Sequence, residues 1–102
     1  MSKSIKLESQ AVTLALKTIP HWAFVDERGG LLKREIKFKN FNQAFGFMAQ
    51  VALFAESTDH HPEWSNVYNR VSVTLTTHDV NGVSNNDLDL ALFIDEITSK
   101  II

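Results

Sequence analysis

Residues 31–58 read LLKREIKFKNFNQAFGFMAQVALFAEST, and the spacing of the apolar positions changes within this one stretch. Leu32, Ile36 and Phe38 share one parity while Lys33, Glu35 and Lys37 share the other, the alternation of a strand with one buried face. From Asn40 to about Thr58 the spacing becomes three and four, which predicts a helix. Phe41, Phe45, Met48, Ala52 and Ala55 step along one of its sides, and Ala44, Phe47, Val51 and Phe54 along a neighbouring side. In a monomer a sheet covers only one such stripe. Gly46 costs ~1 kcal/mol relative to alanine in a helix interior and suggests a close backbone approach. A self-associating chain is therefore expected, with Phe47, Val51 and Phe54 meeting a neighbouring subunit.

Working outward, Val12, Leu16 and Ile19 recur at helical spacing, with Ser9 placed to cap and Pro20 to stop a short first helix. Trp22 to Val25 and Leu31 to Phe38 flank Asp26-Glu27-Arg28-Gly29-Gly30, a connection suited to a hairpin. Beyond the long helix, Val71, Val73 and Leu75 alternate with Ser72, Thr74 and Thr76, giving another half-buried strand. We read Asn69-Arg70 as the turn that joins it to a strand containing Val67 and Tyr68. Ser84 with Asp87 three residues later is a capping pair, and Leu90, Ile94, Ile97 and Ile101 mark a last helix. The order αββαββα predicts an α+β domain spanning residues 1–102, a four-stranded antiparallel sheet with helices packed on one face.

At 102 residues the chain builds one modest core, and without cysteine it has no disulfide or thiolate metal site to reinforce it. Association is a remaining route to further burial. The formal net charge of -2 and the scattered lysines and arginines argue against direct nucleic-acid binding. The start has no continuous apolar segment of a secretory signal, and the most apolar run, 41–55, falls short of the ~20 residues of a spanning helix. A cytoplasmic protein is expected, with no membrane segment.

Three of the four histidines fall in Glu56-Ser57-Thr58-Asp59-His60-His61-Pro62-Glu63-Trp64 and Thr76-Thr77-His78-Asp79. Histidine titrates near neutrality, and neighbouring acids hold and tune it, so the cluster suits acid and base chemistry. Pro62 disfavours helix at His61, so the pair should sit on the exit loop of the long helix. By strand parity His78 belongs with Ser72, Thr74 and Thr76. Singly, each residue has a plainer explanation: histidines complementing a helix C-terminus, Asp87 as a first-turn acid, Trp64 as a core aromatic. Zinc held by the three histidines with Glu56 or Asp59 is the sharper rival, although the spacing is no familiar zinc signature.

In these residues the sequence resembles the pterin-4a-carbinolamine dehydratases, also described as dimerization cofactors of a homeodomain transcription factor. Glu56, His60, His61, Pro62, Tyr68, His78 and Asp87 fill the family pattern, and Phe41–Met48 and Asp59–Trp64 look like family sequence. One departure is Asp79-Val80, where animal members tend to have Glu-Cys. The resemblance implies dehydration of 4a-hydroxytetrahydrobiopterin to quinonoid dihydrobiopterin in tetrahydrobiopterin recycling, without metal or cofactor, by a homo-oligomer expected to be a tetramer. It implies His60 and His78 as the proton-transfer pair and His61 chiefly as a positioner of the pterin. Glu56, Asp59 and Asp87 would orient the histidines, Asp59, Thr76, Thr77 and Asp79 would line the pocket, and Trp64 would wall it. The alternative it implies is a protein-binding module that stabilises a transcription-factor dimer through its helical face, which would add a nuclear location.

Overall fold

The computed structural model describes residues 4–102. Helix α1 (Ser9–Leu16) leads into strands β1 (Ala23–Val25) and β2 (Leu31–Lys37), and helix α2 (Phe41–Thr58) follows. Strands β3 (Glu63–Val67) and β4 (Arg70–Leu75), a short 3-10 turn (His78–Val80) and helix α3 (Asn85–Ile101) complete the chain. The strands form one antiparallel sheet in the order β1-β2-β4-β3. The architecture is the predicted α+β arrangement αββαββα.

Strand alternation decides which face the helices cover. Leu32 and Ile36 of β2 and Val71, Val73 and Leu75 of β4 are buried against Phe47 and Val51 of α2 and Leu90 and Ile94 of α3. Lys33, Glu35, Lys37 and Ser72, of opposite parity, are exposed. Arg34 is the exception on the inner parity. Its guanidinium pairs with Asp95 of α3, whose same oxygen accepts from Trp22 Nε1 at 2.8 Å. Phe54 and Phe93 stack with centroids 4.1 Å apart, joining α2 to α3.

Several expectations change. Glu8 occupies the N-cap of α1 and Ser9 is already its first residue, with no side-chain cap bond. The hairpin turn is Tyr68-Asn69, one residue earlier than expected, since Val67 pairs with Arg70. The stripe that remains outside is not Phe47, Val51 and Phe54: Phe47 and Val51 are fully buried within one chain and Phe54 packs on Phe93. Phe41, Phe45 and Leu53 are the exposed side chains instead. The sheet and α3 cover the Ala44, Phe47 and Val51 stripe of α2, so the stripe left for a neighbour is the one that carries Phe41 and Phe45. Gly46 makes no close approach within the chain, because a Cβ there would meet nothing within 4 Å.

Candidate active site

The long helix ends where the histidine pair begins. Asp59 takes a left-handed conformation (φ 53°), and the His60 N–H donates back to the Ala55 carbonyl at 3.1 Å, closing the last turn in the manner of a left-handed C-cap. Pro62 keeps the chain extended into β3. Asn40 caps the other end by accepting from the Gln43 N–H.

Helix α3 begins on a capping box, in which Ser84 accepts from the Asn86 N–H and Asp87 Oδ2 accepts from the Ser84 N–H at 2.8 Å. Asp87 is fully buried and does more than cap. Its Oδ2 also accepts from Thr77 Oγ1 at 2.8 Å, and its Oδ1 lies 2.6 Å from His60 Nε2. Since Thr77 spends its hydroxyl proton on Asp87, Ser84 Oγ is the donor in the 2.6 Å contact between the two hydroxyls. One carboxylate thus joins the first turn of α3, the end of the β4 segment and the histidine at the end of α2.

His78 reaches the same place by a route that strand parity missed. Strand β4 stops at Leu75, and the chain turns inward. Thr76 Oγ1 donates to the Gly30 carbonyl at 2.9 Å, and Thr77 exchanges backbone hydrogen bonds with Gly82 at 2.9 and 3.3 Å. The alternation is lost, Thr76 and Thr77 are both buried, and His78 opens the 3-10 turn with its side chain 79% exposed.

These segments enclose a cleft of about 740 Å³, lined by Asp59, His60, His61, Thr76, Thr77, His78 and Asp79, with Glu63, Ser4 and Asn86 among its other walls. Such a volume suits a small organic ligand. Each histidine in it faces a different carboxylate. His60 Nε2 meets Asp87, His61 Nε2 meets Glu56 Oε1 at 2.9 Å, and His78 Nε2 lies 3.6 Å from Glu63 Oε2. An ionised carboxylate only accepts, so Nε2 of His60 and of His61 carries the proton and Nδ1 is left for exchange. Among the described residues, no group of three or more His, Asp or Glu side chains is placed to hold a metal ion.

Glu56 and Asp87 stand behind the histidines rather than in the lining. Trp64 does not wall the cleft. Its parity is opposite to that of Glu63, and it packs against the core under the helices. Tyr68 lies exposed at the hairpin tip, away from the lining. Glu63 and Arg28 were not singled out from sequence. Arg28 in the β1–β2 turn forks onto Glu63 through two bonds of 2.8 and 3.0 Å, and this guanidinium holds the Glu63 carboxyl below the usual carboxylate range. The acid directly after His-His-Pro was the available signal for Glu63; Arg28, 35 positions away, offered none.

The family described as Pterin 4 alpha carbinolamine dehydratase matches residues 5–97. The chain belongs to that family. A Burkholderia pseudomallei (strain 1710b) protein provisionally named pterin-4-alpha-carbinolamine dehydratase is 50% identical over 92 residues, 90% of each chain. A Bordetella avium (strain 197N) protein with the same provisional name is 53% identical over 89 residues, 87% of this chain and 82% of its own. Among solved structures, a Brucella melitensis transcriptional coactivator/pterin dehydratase superposes with a TM-score of 0.88 at 48% identity, covering 92% of this chain and 99% of that one.

Proposed function

We propose that this member of the dehydratase family is a hydro-lyase that converts 4a-hydroxytetrahydrobiopterin to quinonoid dihydrobiopterin and water, in tetrahydrobiopterin recycling. The observation that carries the reading is one cleft holding three histidines, each on its own carboxylate. The reaction breaks the C4a–O bond and removes the N5 proton, and the freed electron pair forms the C4a–N5 double bond as water departs. It requires one group to protonate the leaving hydroxyl and one to take the N5 proton, and a positioned acid or base typically contributes ~10²- to 10⁴-fold. His60 and His78 serve as that pair in this reading, and His61 chiefly positions the pterin. Asp87 and Glu56 hold His60 and His61 in a fixed tautomer, and Asp59, Thr76, Thr77 and Asp79 line the ring site. The chemistry calls on the substrate's own nitrogen lone pair, so no cofactor or metal enters the scheme.

A stopped assay of 4a-hydroxytetrahydropterin dehydration with purified protein tests this. A rate no faster than the uncatalysed reaction would overturn it. A second reading, a coactivator-like binding module, is favoured by the description of the Brucella neighbour and by the exposed Phe41, Phe45 and Leu53 on α2. The same face serves a homo-oligomer, a tetramer in the reading adopted here.

A further inference from the structure

Two of the three histidines are held by a direct hydrogen bond, and the third is not. His60 is only 12% exposed and locked on a buried carboxylate, and His61 is bonded to its own helix. His78 stands 79% exposed, and its ion-pair partner among the described residues is Glu63, at 3.6 Å. A ring so exposed reorients freely unless its partner is itself fixed, and Glu63 is fixed. Both of its oxygens are taken by the two terminal nitrogens of Arg28, a fork that sets the plane of the carboxylate. Arg28 in turn sits on the tight β1–β2 turn with φ 48°, followed by Gly29, whose backbone lies so close to Asn81 that a Cβ would fall 1.9 Å from its carbonyl oxygen. Asn81 directly follows the 3-10 turn that carries His78. The guanidinium and the imidazole therefore belong to two turns packed on each other, with Glu63 between them.

The geometry points to Arg28 as a positioning residue: through the Glu63 carboxylate it orients the His78 ring in the cleft and sets the charge that ring experiences. The inference rests on the reading of His78 as a proton-transfer group. Arg28 does not line the cleft and so acts only through Glu63. The charged groups that act on Glu63 come from three elements: Arg28 from the β1–β2 turn, His78 from the 3-10 turn, and Lys33 from β2, which shares with Glu63 the cross-strand neighbour Thr74. Glu27 adds a negative charge beside Arg28, and Asp79 follows His78 in the chain. Glu63 stays ionised throughout the neutral range in this setting, so it is a fixed negative charge beside His78 and no competing base.

Arg28→Gln and Glu63→Gln change the charge beside His78 in opposite senses. Loss of the cation leaves a naked carboxylate that favours the imidazolium. Loss of the carboxylate leaves an unneutralised guanidinium that disfavours it. Nuclear magnetic resonance titration of the His78 ring, assigned with His78→Gln, should give a midpoint displaced upward in Arg28→Gln and downward in Glu63→Gln. The displacement in Glu63→Gln should be the larger of the two, since Glu63 lies nearest the ring and Arg28 acts on it through Glu63. Arg28→Lys, which keeps the charge and loses the fork, should restore the midpoint but not turnover. The near-neutral limb of the pH–rate profile should follow the same displacements, with kcat about tenfold lower in Arg28→Gln and KM little changed. Both variants alter exposed side chains, and unchanged circular dichroism confirms that they fold. Displacements in the same direction, or none, overturn the clamp even in a fully active enzyme. Opposite displacements in a protein that does not dehydrate the pterin leave the clamp standing and overturn the catalytic reading.

Discussion

Asp87→Asn is the most informative single change, because the amide is nearly isosteric with the carboxylate but offers one acceptor where three bonds are accepted. Those bonds come from the Ser84 N–H, the Thr77 hydroxyl and His60 Nε2. The first two meet the same oxygen, Oδ2, so the amide carbonyl takes that position and the NH₂ group faces His60. A donor there forces His60 to present a lone pair at Nε2 and to move its proton to Nδ1. Bonds to charged groups contribute about 1.5–3 kcal/mol each and neutral ones about 1, so the three bonds lose about 1.5–6 kcal/mol, and the easier burial of a neutral amide offsets part of this to leave about 1–2 kcal/mol. For a chain of this size that lowers Tm by roughly 5–15 °C. Turnover suffers more, because the wrong tautomer removes a positioned acid or base and with it about 10²- to 10⁴-fold in kcat/KM. Nitrogen-15 spectra of the His60 ring, a thermal melt and the dehydration assay measure the three quantities on one sample. A variant that keeps Nε2 protonated and retains kcat/KM within threefold of wild type would refute the reasoning.

Replacement of His60 or His78 by alanine should each reduce turnover substantially and the double replacement more than either, whereas His61→Ala should raise KM at least as much as it lowers kcat; a double variant with wild-type kcat/KM would make the histidines structural. Dehydration should survive exhaustive chelation, and a loss of activity restored by zinc would refute the acid–base scheme. Phe45→Asp should lower the sedimentation mass, because Phe45 stands 57% exposed beside Phe41 on α2; a wild type that sediments as a monomer at micromolar concentration counts against the oligomer. Glu63 has a folded-state pKa below its ordinary 4.5, so its stabilising contribution is present above that value and lost as pH falls through the depressed one. The stability difference between wild type and Glu63→Gln should accordingly shrink below about pH 4.5 and with added salt, and a difference that grows on acidification would contradict the sign.

The elements were legible wherever one face is buried and the other wet, as in β2 and β4, and wherever a cap is local, as at Ser84 and Asp87. Helix α2 was legible as a helix but not in its orientation, because both stripes are apolar and only the packing of α3 shows that Phe47 and Val51 turn inward while Phe45 turns out. Parity failed at His78 because the bonds that end the strand, to Gly30 and Gly82, come from distant or later residues that no local pattern contains. His60, His61 and His78 were found by their density and by the family pattern, and the structure brings them to one cleft. Trp64 was misplaced because its neighbour Glu63, not the tryptophan itself, has the parity that reaches the cleft. The Arg28–Glu63 fork joins residues whose meeting depends on β3 lying beside β4 at the sheet edge, a fact of topology.

The two adjacent histidines are referenced to different parts of the molecule. The His61 ring is tied to Glu56 near the end of α2, whereas His60, whose N–H closes the last turn of α2, has its ring tied to Asp87 of α3. Their relative placement is consequently a gauge of how the two helices sit on each other, with the stacked Phe54 and Phe93 as the pivot. A molecule that engages both rings splints α2 to α3. Its arrival should be readable far from the cleft, as slower amide hydrogen exchange along both helices around that aromatic pair.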